Sequence, residues 1–207
     1  MRQHQRHQFD RRDFIGGSDA RIIMGGDEKA LIRLWQEKRG EVGPQDLSGD
    51  LIVQLGLATE DLNRAWYERN TGRAITNVQS RVRHPVIAFI SATLDGVVTG
   101  TGAVYEAKFM LPWSFSEAAA AEKHMAQLQH NMWVTNARMA VLSIITGGGK
   151  WVEISVAADP LYQHLLLRAR AAPAEDRSGA QCRHGRLECM GGVRRAVLLH
   201  PAGLPGP

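Results

Sequence analysis

Residues 103–109 read AVYEAKF, a run of Ala, Val, Tyr and Phe interrupted by Glu106 and Lys108. Strands alternate their side chains between two faces. The alternation therefore predicts Val104, Glu106 and Lys108 on one face and Tyr105, Ala107 and Phe109 on the other. A carboxylate and an ammonium two residues apart on such a strand have two readings. Either they pair with each other at an exposed edge, or a charged group comes to meet them.

Outward from this strand the chain reads as mixed α/β. AITNVQSRVR (74–83) and VIAFISATL (86–94) predict two strands separated by Pro85, and DGVVTGTG (95–102) supplies a turn into the third. Before them, DEKALIRLWQEKRG (27–40) puts Leu31, Leu34 and Trp35 on one helical stripe that Gly40 ends. The next helix, capped by Ser48 and closed by Gly72, carries Leu51, Leu55, Ala58, Leu62 and Trp66 as its apolar stripe. Downstream, SEAAAAEKHMAQLQHNMWVTNA (116–137) is helical by composition. AVLSIIT and KWVEISV form a hairpin across GGG, and Asp159-Pro160 opens a last helix. The expected architecture is a mixed central β-sheet flanked by helices.

The chain of 207 residues has a formal net charge of +4, which permits a polyanionic partner without demanding one. No apolar run is long enough for a membrane helix, and no apolar segment follows the basic N-terminus as in a secretory signal. Cys182 and Cys189 both lie near the C-terminus, so no disulfide framework holds the fold. These features predict a soluble, cytoplasmic protein. Residues 1–10 read as a flexible N-terminus and 11–167 as the folded domain. Residues 168–207 lack Phe, Trp, Tyr and Lys and show no period, as in a disordered tail or a GC-rich gene read out of frame. The abrupt end of the helical pattern at 167 favours the second explanation. Cys182, His184 and Cys189 lack the paired spacing of a zinc site.

Asp95 ends the preceding strand at an Asp-Gly turn, from which it can approach Glu106 if the two strands are neighbours. Two carboxylates and a lysine suit a hard divalent cation such as Mg²⁺, with Lys108 orienting or deprotonating a water. The spacing D-x₁₀-E-x-K is that of the PD-(D/E)xK nucleases, with Leu94 in the variable first position. Gln127 and Gln129 interrupt an otherwise apolar helix and require hydrogen-bond partners. Ser18 and Asp19 follow a Gly-Gly turn, where they serve as a helix cap or as a phosphate contact. His124, His130 and His164 read as surface or capping residues. Trp113, Trp133 and Trp151 read as core or hairpin aromatics, with a DNA channel as the alternative for Trp113.

Five segments in this order, IGGSDA (15–20), GLATE (56–60), SATLDG (91–96), YEAKF (105–109) and AQLQHNMWVT (126–135), resemble the YqaJ-type viral recombinase family, which is related to phage lambda exonuclease. The likeness spans about residues 11 to 167. It implies a restriction-endonuclease-like core and an exonuclease that uses Mg²⁺, or Mn²⁺ in its place. The implied substrate is double-stranded DNA ends, with a single-strand annealing protein as partner and a ring-like homo-oligomer as assembly. By the same resemblance Asp95 and Glu106 hold the metal, Glu60 completes its site, the Ala107 carbonyl is a further ligand and Lys108 is the catalytic lysine. Gln129 matches the glutamine beside the metal, with Gln127 the alternative and a member of the phosphate-binding set. Ser18 and Arg11 match the region that receives DNA phosphate, Arg12 being the other register. Two rival expectations stand: a DNA-binding recombination-accessory protein without chemistry, and the inactive remnant of a frameshifted gene.

Overall fold

The computed structural model describes residues 11–170, which fall in two units, 11–159 and 160–170. The second contributes one described element, helix α5 (Pro160–Arg170), which runs past residue 167 where the helical pattern was expected to stop. The expectations for residues 1–10 and for 171–207, the two cysteines included, lie outside the described residues. Among the described residues no helix is long and apolar enough to cross a membrane.

In the first unit a 3-10 turn (Arg11–Asp13) leads into α1 (Gly17–Met24), α2 (Glu28–Lys38) and α3 (Leu51–Thr71). Strands β1 (Ile75–Thr76), β2 (Ser80–Arg83), β3 (Ser91–Leu94), β4 (Gly96–Val98) and β5 (Val104–Met110) follow. Helix α4 (Glu117–Thr135) then crosses over to β6 (Met139–Thr146), which turns back as β7 (Trp151–Ala157). The five-stranded sheet has the order β1-β4-β5-β6-β7, with β5 and β6 parallel and the other pairs antiparallel. A parallel pair needs a crossover, and α4 is that crossover.

The expected three-strand meander is replaced by a split. Strands β2 and β3 pair only with each other, in a separate ribbon, and GVV is itself a strand rather than part of a turn. Asp95 is the single residue between β3 and β4, the point at which the chain leaves the ribbon and enters the main sheet.

Two layers of helix cover the sheet. Leu128 and Met132 of α4 pack with Val104, Leu142, Ile144 and the ribbon residues Ile90 and Leu94. On the other face Tyr67 of α3 packs with Ile75, Val98, Tyr105, Ala107 and Val141. The expected alternation of β5 therefore holds, with Val104 toward α4 and Tyr105 and Ala107 toward α3.

The helices differ from expectation in which face they bury. In α3 the apolar stripe points outward: Leu51 is 69% exposed and Leu62 55%. The buried residues are Asn63 and Tyr67, one turn apart. Trp35 of α2 is also exposed, under the Arg39 guanidinium, and Leu34 alone of its stripe is buried. The α3 cap is Asp50 rather than Ser48, its carboxylate accepting from the Ile52 and Val53 amides, while Gly72 closes the helix at φ 68° as predicted. His124 and His130 are buried, not superficial; Nε2 of His130 donates to the Ser91 carbonyl at 2.8 Å. Trp113 is exposed instead of core, whereas Trp133 packs at a tilt against His84 and Trp151 meets Tyr67 edge-on.

Candidate active site

The register explains why charge gathers on β5. Strand β4 pairs with β5 only at Gly96–Tyr105 and Val97–Val104. One step further the chain bends away into β3, so Asp95 stands across from Glu106 where a ladder partner would be. The Ala107 amide left open at this edge donates to Asp95 Oδ2 at 2.9 Å. A side-chain carboxylate thus replaces a backbone carbonyl and is fixed by the strand it faces.

Glu106 is 1% exposed. Its Oε1 accepts from Lys108 Nζ and from Gln127 Nε2, each at 2.5 Å, and its Oε2 accepts from Asn131 Nδ2 at 3.1 Å. The Glu106–Lys108 pair is therefore not an exposed edge salt bridge: its carboxylate is buried and clasped by two amides of α4, while its ammonium is half-buried. Gln127 and Asn131 are four residues apart and project from one face of that helix. Asn131 was missed in the sequence, although its spacing from Gln127 could have marked it.

Electrostatics follow from this crowding. Burial pushes the Asp95 carboxyl up, the Glu106 charge pushes it further, and it reaches about 7. Glu60 is raised as well, by burial and then by Asp95, against the bond it accepts from Gln79 and the pull of Lys108. Burial pulls the Lys108 ammonium down, but Glu106 and Asp95 outweigh it and hold it above its ordinary value. Asp95 feels the charge of Glu106 and Glu60 that of Asp95, beside one lysine, and a divalent cation would offset this crowding of charge. Among the described residues no three His, Cys, Asp or Glu side chains already converge as a metal cage. The donor set still fits Mg²⁺, which takes one or two carboxylates, water and phosphate rather than a full protein cage.

The two glutamines part company. Gln127 reaches Glu106, whereas Gln129 faces the other way, donating to the Ala157 carbonyl and accepting from the Asp159 amide, both at 2.8 Å. The residue preferred at this position from sequence is thus not the one the structure brings to the acids.

Beside Gln127 lies a cavity of about 270 Å³, lined also by Arg11, Phe14, Ser18, Arg81 and Thr93. Ser18 is exposed in the first turn of α1, while Asp19 accepts from the Gly16 amide and from Lys38 Nζ. Asp19 therefore does the capping and leaves the Ser18 hydroxyl to the cavity. The Arg81 guanidinium lies 3.9 Å over the Phe14 ring at the same cavity. Arg12 does not line this cavity; it lines, together with Arg11, a second hollow of about 360 Å³ that holds none of the three acids.

Residues 6–138 match the model of the YqaJ-like viral recombinase domain. The chain belongs to that family. YqaJ of Bacillus subtilis (strain 168) is 29% identical over 167 residues, 78% of this chain and 52% of its own. The chain thus spans about half the length of the curated relative it matches. Among solved structures, the YqaJ-like fold is similar to the alkaline exonuclease LHK-Exo of Laribacter hongkongensis, at TM-score 0.65 and 20% identity over 78% of this chain and 86% of that one. LHK-Exo in complex with dAMP gives TM-score 0.64 at 21% identity, with the same coverage of both chains. A phage-related exonuclease from Haemophilus somnus 129PT gives 0.60 at 14% identity over 76% and 89%. At these identities the likeness is one of fold: a mixed, curled five-stranded sheet between helices, the restriction-endonuclease-like core.

Proposed function

We propose that this YqaJ-family chain is a metal-dependent deoxyribonuclease that removes nucleotides from DNA ends. The observation that carries the reading is the part-buried cluster of Asp95, Glu106 and Lys108 at the open edge of β5, next to a cavity that presents Arg11, Ser18 and Gln127. The names of its structural neighbours, alkaline and phage-related exonucleases, one of them with dAMP bound, point to the same chemistry.

Asp95 and Glu106 would hold Mg²⁺ or Mn²⁺, with Glu60 and the Ala107 carbonyl as further ligands. Bound there, the ion supplies Lewis acidity toward the phosphate and acidifies a water. The protein's own groups do the rest. Asp95 is pinned by the Ala107 amide and so enters the site with its orientation fixed. Gln127 and Asn131 fix Glu106 without adding charge. Lys108 stands within 2.5 Å of Glu106, where its Nζ can orient a water toward phosphorus and counter the charge growing on the phosphate oxygens. Arg11 and Ser18 would receive a phosphate of the substrate strand in the cavity, and Gln127 joins that cavity to the acids. Duplex ends as substrate, an annealing protein as partner and a homo-oligomeric ring complete the reading drawn from the family.

The test is Mg²⁺-dependent release of nucleotides from linear duplex DNA by the purified chain. Lys108→Ala and Glu106→Gln should each abolish it while leaving DNA binding measurable. Undiminished hydrolysis by Lys108→Ala would refute the assignment.

A further inference from the structure

Asn63 is the least expected residue in the core. It is 1% exposed on α3, one turn after Glu60 and one turn before Tyr67. A primary amide offers two donors and two acceptor lone pairs, and all are used. Nδ2 donates to the Ser143 carbonyl at 2.9 Å and to the Lys108 carbonyl at 3.2 Å. Oδ1 accepts from Ser143 Oγ at 2.6 Å and from Tyr105 Oη at 3.3 Å. Trp151 Nε1 in turn donates to Ser143 Oγ at 2.9 Å. Turning the amide over would set its oxygen against two carbonyls, so this network admits one orientation.

Stability alone does not call for such a residue. An amide buried without partners is costly, and hydrogen bonds that replace those to water do little more than offset that cost. What the network fixes is position. Asp95, Glu106 and Lys108 are held by the sheet and its edge. Glu60 comes from a helix, and its own bond, from Gln79, is exposed. One bond of Asn63, three residues along the same helix, ends on the carbonyl of Lys108 itself, and the others end on the neighbouring strand residues Ser143 and Tyr105.

We infer that Asn63 is a positioning residue: it bolts α3 to the Lys108 peptide and so sets where Glu60 stands relative to Asp95 and Glu106, making cation affinity depend on a side chain that touches no cation. The inference rests on the metal-dependent reading of the site, and the experiment separates the two. Mn²⁺ binding to the full chain without DNA is measured by calorimetry for the wild type, Glu60→Gln, Asn63→Ala and the double variant, with Asp95→Asn as reference. Removing such a supporting hydrogen bond weakens metal affinity about 10-fold or more. Asn63→Ala should lose about that much, and in the Glu60→Gln background it should lose nothing further, because the residue through which it acts is already gone. Losses that multiply, or unchanged affinity in Asn63→Ala, would overturn the inference. A wild type that binds no Mn²⁺, or an Asp95→Asn variant that binds it as well as wild type, would overturn the metal reading itself and this inference with it. Should Asn63→Ala not fold, Ser143→Ala replaces it in the same cycle. That variant removes one of the two hydroxyls gripping the amide oxygen, so it should weaken Mn²⁺ binding several-fold with Glu60 present and not at all without it; the same multiplication or indifference would count against the bolt.

Discussion

Asp95 faces Glu106 across the open edge of β5, and burial together with that neighbouring charge lifts its carboxyl to about 7. In the metal-free protein this has a defined consequence for stability. The unfolded chain releases this proton near 3.8 while the folded chain keeps it to about 7. Folding stability from this group is present at low pH and is lost as pH rises between those values. His124 works in the opposite sense, because burial and then the charges of Lys108 and Arg21 push its imidazole down to about 3. Its unfolded form binds a proton below 6.5, so stability falls as pH drops from 6.5 toward 3. In EDTA the two slopes oppose each other between about 4 and 6.5, each at most about 1.4 kcal/mol per pH unit. Asp95→Asn should therefore give a melting temperature that rises with pH across this window, and His124→Gln one that falls. Identical profiles for both variants would contradict the assignment.

Gln127 and Gln129 should fail in different ways. Gln127→Ala removes a partner of Glu106 and part of the cavity wall, and should lower turnover by 10-fold or more with little change in melting temperature. Gln129→Ala leaves the Ala157 carbonyl and the Asp159 amide short of a partner, and should destabilise by about 1–3 kcal/mol. Its activity per folded molecule should stay near wild type. Denaturant melts beside nuclease assays distinguish the two.

Arg11 should contribute to binding rather than to chemistry. If its guanidinium neutralises one DNA phosphate at the cavity, Arg11→Gln weakens binding in Ca²⁺ and lowers the slope of log K against log salt by about one. Equal slopes for variant and wild type would place the phosphate elsewhere.

The strand pattern was legible because β5 obeys its period: the apolar residues on each side of Glu106 fall on the faces that the alternation predicts. That Asp95, Glu106 and Lys108 come together was legible from the D-x₁₀-E-x-K spacing, whereas Glu60 entered through the family resemblance alone. The orientation of α3 was not. Its apolar residues form a helical stripe, and that pattern ordinarily marks the buried face. Here the buried face carries Asn63, and the cost of an amide in the core is offset by groups more than forty residues away in sequence. The same holds for His130, whose partner is the carbonyl of Ser91. Long-range hydrogen bonds of this kind leave no local periodicity. Choosing Gln127 over Gln129 needed the rotation of α4 on the sheet, which two glutamines of equal composition do not reveal.

Close approach of two helices sets the last prediction. A methyl group added at Gly17 would lie 2.5 Å from Asn131 Oδ1 and 3.1 Å from Gln127 Cγ. Both side chains belong to α4 and both hold Glu106. Gly17→Ala should thus do more than crowd a helix contact. Either α1 moves outward, carrying Ser18 away from the cavity, or Asn131 and Gln127 shift and loosen Glu106. Overpacking at such a contact costs about 1–3 kcal/mol, which thermal melting would read. Turnover should fall in either case, while the far-UV spectrum stays native because the displaced groups are side chains and one short helix. Gly26→Ala is the control: a methyl group there meets nothing within 4 Å, so both stability and turnover should be kept. Wild-type turnover in Gly17→Ala would show that α1 can retreat without disturbing the acids, and that the contact between α1 and α4 is packing alone.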